Sequence, residues 1–137
     1  MIDPEYITIS LRWRDTDQLG HVYHASLVSL LDEARSRWIQ QSGIDAMNFV
    51  VAHLDITYKQ EIVIDDAEIR VDVEISRIGT ASLDTREVIS TKNGICAKCE
   101  STLVRWDPAT RASTPMTEHE RKAALGTIND SSFNPHN

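Results

Sequence analysis

The chain is short of several things, and each shortage removes a class of function. Basic residues are outnumbered: 14 Lys and Arg against 21 Asp and Glu leave a formal charge of −7 over 137 residues. Broad binding to nucleic acid or to an anionic membrane needs a net basic face, so neither is expected. A few local cations could still hold an anionic ligand. No apolar run approaches the length of a membrane span, and no N-terminal apolar segment of the signal-peptide kind is present. A cytoplasmic protein without a membrane span is therefore expected. Internal repeats and a convincing domain boundary are also missing, and a chain of this length fits one domain with a real core. Cysteine is scarce. Cys96 and Cys99 make a C-x-x-C, but in an apparent strand a spacing of three puts the two thiols on opposite faces. A redox pair would need a helix start, and a zinc site a second pair.

What is there reads as one strand, a long helix and four more strands. Tyr6 to Trp13 alternate, with Ile7, Ile9, Leu11 and Trp13 on one side, which predicts a strand with one buried face. Ala25 to Gln41 carry Leu27, Leu30, Leu31, Ala34 and Trp38 at helical spacing, with Asp32 and Ser36 on the other side and a left-handed cap at Gly43. Phe49 to Tyr58 and Ala67 to Arg77 are the next strands, separated by a turn at Asp65-Asp66. Ser82 to Thr91 and Ile95 to Trp106 follow, joined by Lys92-Asn93-Gly94, whose Asn-Gly is a strong hairpin signal. After Asp107-Pro108, Thr117 and Glu120 form a capping-box pattern for a short helix ending near Gly126. Residues 1–126 are read as the folded domain and 127–137 as a flexible tail.

The chemistry concentrates in Arg14 to His24. Asp17 falls on a short loop closed by Gly20, and the helix that follows begins with unpaired backbone N–H groups at the positive end of its dipole. A carboxylate beside such donors suits attack on a carbonyl, which needs a group that attacks or activates water and fixed donors where negative charge develops. Blander readings compete. Asp-x-Asp-x-x-Gly could open a calcium loop, but Leu19 and Ser26 stand where oxygen ligands belong at the fifth and twelfth positions. His21 and His24 have no third ligand at zinc spacing, so a structural or hydrogen-bonding role is the better reading and no metal is expected. Asp17 could simply be an Asx-turn residue. The residues alone leave Asp17 between the turn and the catalytic reading.

The element Asp15-Thr16-Asp17-x-x-Gly20-His21-Val22-Tyr23-His24, running into a helix with Asp32-Glu33-Ala34-Arg35, resembles the hotdog-fold acyl-CoA thioesterases of the 4-hydroxybenzoyl-CoA thioesterase family. The likeness continues to about Leu125 through the strand containing Tyr58, the Asp65-Asp66 turn and an Ile78-Gly79-x-x-Ser82 hairpin. It implies an α+β hotdog fold, an antiparallel sheet wrapped around one long helix, paired into a dimer with sites at the subunit interface. Open sheet edges on a single copy point the same way, to a homodimer and a tetramer or higher assembly. It also implies hydrolysis of an acyl-CoA thioester, with coenzyme A entering as part of the substrate and no separate cofactor. Asp17 matches the family's carboxylate, nucleophile or general base. Gly20, Tyr23 and His24 match the loop and helix start whose backbone N–H groups polarise the carbonyl. Some members grip the CoA phosphates with several basic residues in the hairpin after the third strand. Here Arg77, Thr80 and Ser82 are the candidates, and an acyl carrier protein substrate, which leans less on nucleotide contacts, is an alternative. A non-catalytic acyl-CoA-binding module is a second, disfavoured because a binding pocket has no use for a desolvated carboxylate. A hydratase is a third, but its usual Asp-x-Asn-Pro-x-His element is absent.

Overall fold

The computed structural model describes residues 6–129. Five strands, β1 (Tyr6–Ser10), β2 (Phe49–Tyr58), β3 (Glu68–Ile78), β4 (Ser82–Thr91) and β5 (Gly94–Asp107), form one antiparallel sheet in the order β1-β3-β4-β5-β2. A two-residue strand β6 (Ala112–Ser113), which the sequence pattern did not reveal, pairs with the end of β5. The long helix α1 (His24–Gln41) packs across one face, and α2 (Glu118–Asn129) covers the end carrying the β3–β4 hairpin. This is the hotdog arrangement. At 18 residues, α1 is about 27 Å long, enough to span the strands it lies across. Leu27, Leu30, Leu31, Ala34, Trp38 and Ile39 of α1 share one core with Ile69, Val71, Val73 and Ile75 of β3, Leu83 and Ile89 of β4, and Ala97, Cys99 and Leu103 of β5.

Asn93-Gly94 makes the expected hairpin, with Gly94 at φ +120°, a region closed to most side chains. Gly43 sits at φ +95° and donates its N–H to Gln40 O at 3.1 Å, capping α1 as predicted. The capping box at α2 is also present: Glu120 N–H donates to Thr117 Oγ1 at 3.1 Å and Thr117 N–H to Glu120 Oε1 at 2.9 Å. The helix runs to Asn129, three residues beyond the expected end at Gly126, and the rest of the expected tail lies outside the described residues.

Two expectations need correcting. The first strand stops at Ser10, and Trp13–Asp15 form a single 3-10 turn that leaves Trp13 75% exposed instead of inward. The cause is local. Asp15 accepts the Arg12 N–H at 2.8 Å and both arms of the Arg12 guanidinium at 3.2 and 3.1 Å, which curls the chain before the alternation can continue. Burial alone would raise the Asp15 carboxyl, but the Arg12 hydrogen bonds outweigh it and hold the group below its ordinary range. The second correction concerns the cysteines. Ile89 pairs with Ala97 and Ser90 with Ile95, so Cys96 occupies a bulge, and both thiols belong to the same core cluster. Both are free and buried. Burial, with help from Glu87, pushes Cys99 up to about 12, and burial raises Cys96 as well. A buried protonated thiol is a poor nucleophile.

Within this core lies a charged cluster. Arg35, 2% exposed, projects from α1 between Leu31 and Trp38 on the buried face. Its guanidinium bonds Asp32 Oδ1 at 2.5 Å, approaches Ser101 Oγ at 3.5 Å and faces Glu87 Oε2 at 4.0 Å. Glu87, 1% exposed, accepts from the Thr85 hydroxyl and from Ser101 Oγ at 3.1 Å. Desolvation pushes the Glu87 carboxyl above its ordinary range against these partners. The cluster ties the middle of α1 to β4 and β5.

Candidate active site

The loop between β1 and α1 is built around Asp17. One carboxylate oxygen, Oδ1, accepts the N–H groups of Leu19 at 2.8 Å and His21 at 3.1 Å. The Asp17 N–H donates to His21 O at 2.8 Å and the Gly20 N–H to Asp17 O at 3.0 Å. Gly20 takes φ +79° to close this turn, a conformation that glycine adopts without strain. The Asx-turn geometry is thus real, and it uses one oxygen: among the described residues nothing donates to Oδ2. The N–H bonds from Leu19 and then His21 hold the carboxyl below its ordinary range, so Asp17 is ionised at neutral pH.

Directly after this loop, α1 starts without a cap. Tyr23 is the N-cap in extended conformation and supplies no side-chain bond, and no acidic residue lies in the first turn. The first intrahelical bond runs from Leu27 N–H to Tyr23 O at 3.0 Å. The N–H groups of His24, Ala25 and Ser26 therefore precede the hydrogen-bonded helix, and no side chain or backbone acceptor among the described residues takes them. A free carboxylate oxygen and unfilled helix donors lie within the ten residues from Asp17 to Ser26, which is the pairing that acyl transfer requires.

A third segment lies against this loop. Beyond β2 the chain turns, with Lys59 and Gln60 N–H both donating to Cys96 O at 2.7 and 3.3 Å, and returns beside the Asp17 loop. Val22 N–H donates to Ile62 O at 2.8 Å, Ile64 N–H to Gly20 O at 2.9 Å, and His21 Nε2 lies 3.3 Å from Glu61 Oε1. At the end of β2 the Tyr58 hydroxyl is hydrogen-bonded to His24 Nδ1. Tyr58 was legible only as part of a strand; its place beside His24, 34 residues away in sequence, was not.

Residues 11–124 match the sequence profile of the thioesterase-like superfamily. The chain belongs to that family. Its similarity to individual members is moderate but extends over most of the fold. It is 29% identical over 121 residues to the 1,4-dihydroxy-2-naphthoyl-CoA hydrolase of Rippkaea orientalis, covering 81% of this chain and 88% of that protein. It is 27% identical over 108 residues to the acyl-CoA thioester hydrolase YbgC of Escherichia coli, covering 73% and 80%. Among solved structures, the thioesterase of Thermus thermophilus complexed with coenzyme A and Zn superposes with a TM-score of 0.80 at 27% identity, covering 90% of this chain and 93% of that one. This thioesterase-family chain is accordingly a thioester hydrolase.

The same chain does not bring the hairpin candidates to Asp17. Ser10 pairs with Glu68 at the start of β3, close to the Asp17 loop, whereas Arg77 and Ile78 lie at the far end of that strand. Ten residues of strand separate Glu68 from Ile78, roughly 33 Å. Arg77 is exposed and faces Asp84 Oδ2 at 3.8 Å. Thr80 is exposed and its carbonyl accepts Met116 N–H at 3.0 Å, while Ser82 O accepts Gly79 N–H at 2.8 Å. Arg121 of α2 donates to Gly79 O at 2.7 Å, so a second guanidinium reaches this hairpin from a part of the sequence not singled out for it.

Proposed function

We propose that this thioesterase hydrolyses acyl-CoA thioesters to a free acid and coenzyme A, with Asp17 as the attacking or base-acting carboxylate. The observation that carries the reading is the ionised Asp17 with one unengaged oxygen on the loop that runs into an uncapped helix start. In the nucleophilic route an Asp17 oxygen bonds to the carbonyl carbon, the C–S bond breaks, and the thiolate leaves; water then opens the mixed anhydride. In the general-base route water adds to the carbonyl as its proton passes to Asp17, and the same C–S bond breaks. Either way the carbonyl oxygen becomes negative, and the N–H groups around Tyr23 and His24, at the positive end of α1, stabilise it. The names of the two relatives favour coenzyme A over an acyl carrier protein as the carrier. The test is a panel of aromatic and aliphatic acyl-CoA thioesters read by release of free thiol. Turnover of at least one supports the reading. Binding of a non-hydrolysable analogue with no turnover of any member hands it to the binding-module alternative.

The working unit we propose is a homodimer closed over β2. This strand lies at the sheet edge and leaves Val50 42%, Val51 45% and Tyr58 47% exposed, an open apolar edge that invites pairing. Antiparallel continuation of the sheet across a two-fold axis at β2 would lay the partner's β3–β4 hairpin end beside the Tyr58 and Asp17 end. That supports a site in which Arg77, Thr80 and Ser82 serve the partner's Asp17. Sedimentation at micromolar concentration is expected to give a dimer or a multiple of it. A stable monomer that still turns over substrate would remove the shared site. Two unbridged thiols fit a reducing setting, which supports the cytoplasm as the place of work.

A further inference from the structure

We propose that Tyr58 is a positioning residue for thioester hydrolysis, its hydroxyl holding the His24 imidazole in one rotamer and one tautomer, with the proton on Nε2 as a side-chain donor at the start of α1. The inference rests on the thioesterase reading above and adds to it a group that neither the motif nor the family match assigns.

Three observations on the pair carry it. First, Tyr58 meets His24 at two points, through the bond from its hydroxyl to Nδ1 and through ring contact, with centroids 5.5 Å apart and planes tilted by 55°. A bond and a face together fix both side-chain torsions of the imidazole. Second, neither side chain has another hydrogen-bond partner among the described residues, so the pair is not one link of a wider surface network. Third, His24 is the first residue of α1, so its ring is carried by the same residue whose N–H is one of the unfilled donors.

The tautomer follows from the chemistry of the two groups. A phenol is a good donor and a weak acceptor, because its lone pairs are drawn into the ring, whereas an unprotonated imidazole nitrogen is a strong acceptor. Burial, and then the neighbouring Cys99, push Tyr58 above its ordinary range, so the phenol keeps its proton throughout the neutral range. The stable arrangement with neutral His24 is O–H donating to Nδ1, which leaves the imidazole proton on Nε2. A donor oriented before substrate arrives has no reorganisation to undergo as charge develops on the carbonyl oxygen.

The test uses the full-length protein with nitrogen-15 label in histidine, at about pH 8, above the ordinary histidine range. The parent is expected to show His24 with an unprotonated, hydrogen-bonded Nδ1 and a protonated Nε2. Tyr58→Phe, which keeps the ring and deletes the hydroxyl, is expected to move both resonances toward a tautomer mixture. On the best thioester of the panel, Tyr58→Phe should lower kcat by about tenfold, less than loss of a direct oxyanion donor costs, with KM little changed. In a His24→Ala background the same change should cost less than about twofold, since residues acting through one another are not additive. Should the Phe variant fail to fold, fluorotyrosine encoded at position 58 keeps the shape, makes the hydroxyl a stronger donor, and should displace the Nδ1 resonance. A parent spectrum with the proton on Nδ1, resonances unmoved by Tyr58→Phe, or costs that add in the double variant would each overturn the proposal. If the parent hydrolyses no thioester, the functional reading fails, and the nitrogen spectra still decide whether Tyr58 sets His24.

Discussion

Replacing Asp17 by Asn is expected to cut turnover by about a hundredfold or more, the scale of losing a general base, while a non-hydrolysable acyl-CoA analogue still binds. Asparagine keeps the size of the side chain, and its amide oxygen can still accept from Leu19 and His21 N–H as Oδ1 does. The turn should survive, and only the charge on the free side is lost. His24→Ala should cost less, because the backbone N–H groups of the helix start stay in place. The pH profile carries the same signature. Asp17 is held below the ordinary value of 3.8, so it is fully ionised from about pH 5 upward, and no loss of rate between about pH 5 and 8 should trace to it. An Asp17→Asn protein that hydrolyses every tested thioester at the parent rate sinks the assignment. Single-turnover hydrolysis in heavy-oxygen water then separates the two routes, since label enters the Asp17 carboxylate only through the anhydride.

Arg35→Met should lower stability by about 3–5 kcal/mol, because removing one member of a buried pair leaves the other charge uncompensated. For a domain of this size that is a fall in melting temperature of roughly 10 °C or more. Glu87 is then held at 1% exposure with only the Thr85 and Ser101 hydroxyls. The loss should depend on pH in a definite direction. Desolvation raises the Glu87 carboxyl above its ordinary value of 4.5 in the folded chain. The native state therefore binds a proton more readily than the unfolded chain, and the stability linked to this group is greatest below that value and declines as pH rises through the folded-state one. Without Arg35 the native carboxyl climbs further, so parent and variant should differ least in acid and most at neutral pH. Changing Glu87 to Leu in the Arg35→Met chain should recover much of the loss, since apolar substitutes for a buried pair are often neutral or better. A melting temperature within about 2 °C of the parent for Arg35→Met would contradict this account.

Much of the fold was legible because its signals are local. β2 and β4 have the predicted limits, the Asn93-Gly94 hairpin and the Gly43 cap stand where the chain chemistry put them, and the α1 stripe is the buried face. The reading failed where two local effects competed or where partners were distant. Trp13 kept the alternation of β1 on paper, but the Arg12–Asp15 pair bends the chain first. Regular pleating would put the two C-x-x-C thiols on opposite faces, but the bulge at Cys96 interrupts it. The core cluster joins Arg35 to Ser101 across 66 residues, and no local pattern announces that. A signal did exist: Arg35 follows Leu31 by four on the apolar stripe, and Glu87 alternates inward between Thr85 and Ile89, both charges at positions the periodicity assigns to the core. In the site, the Asp17 turn and the open helix start were readable because they are consecutive in sequence, whereas Tyr58 needed the fold to reach His24.

The separation of the Asp17 loop from the β3–β4 hairpin, at opposite ends of β3, has a consequence for mixed populations of chains. In the proposed dimer each site would draw its carboxylate from one chain and its hairpin from the other. A chain defective at Asp17 and a chain defective in the hairpin would then rescue one another: their mixed dimer holds one doubly damaged site and one intact site, so random pairing of two dead proteins returns about a quarter of full site occupancy.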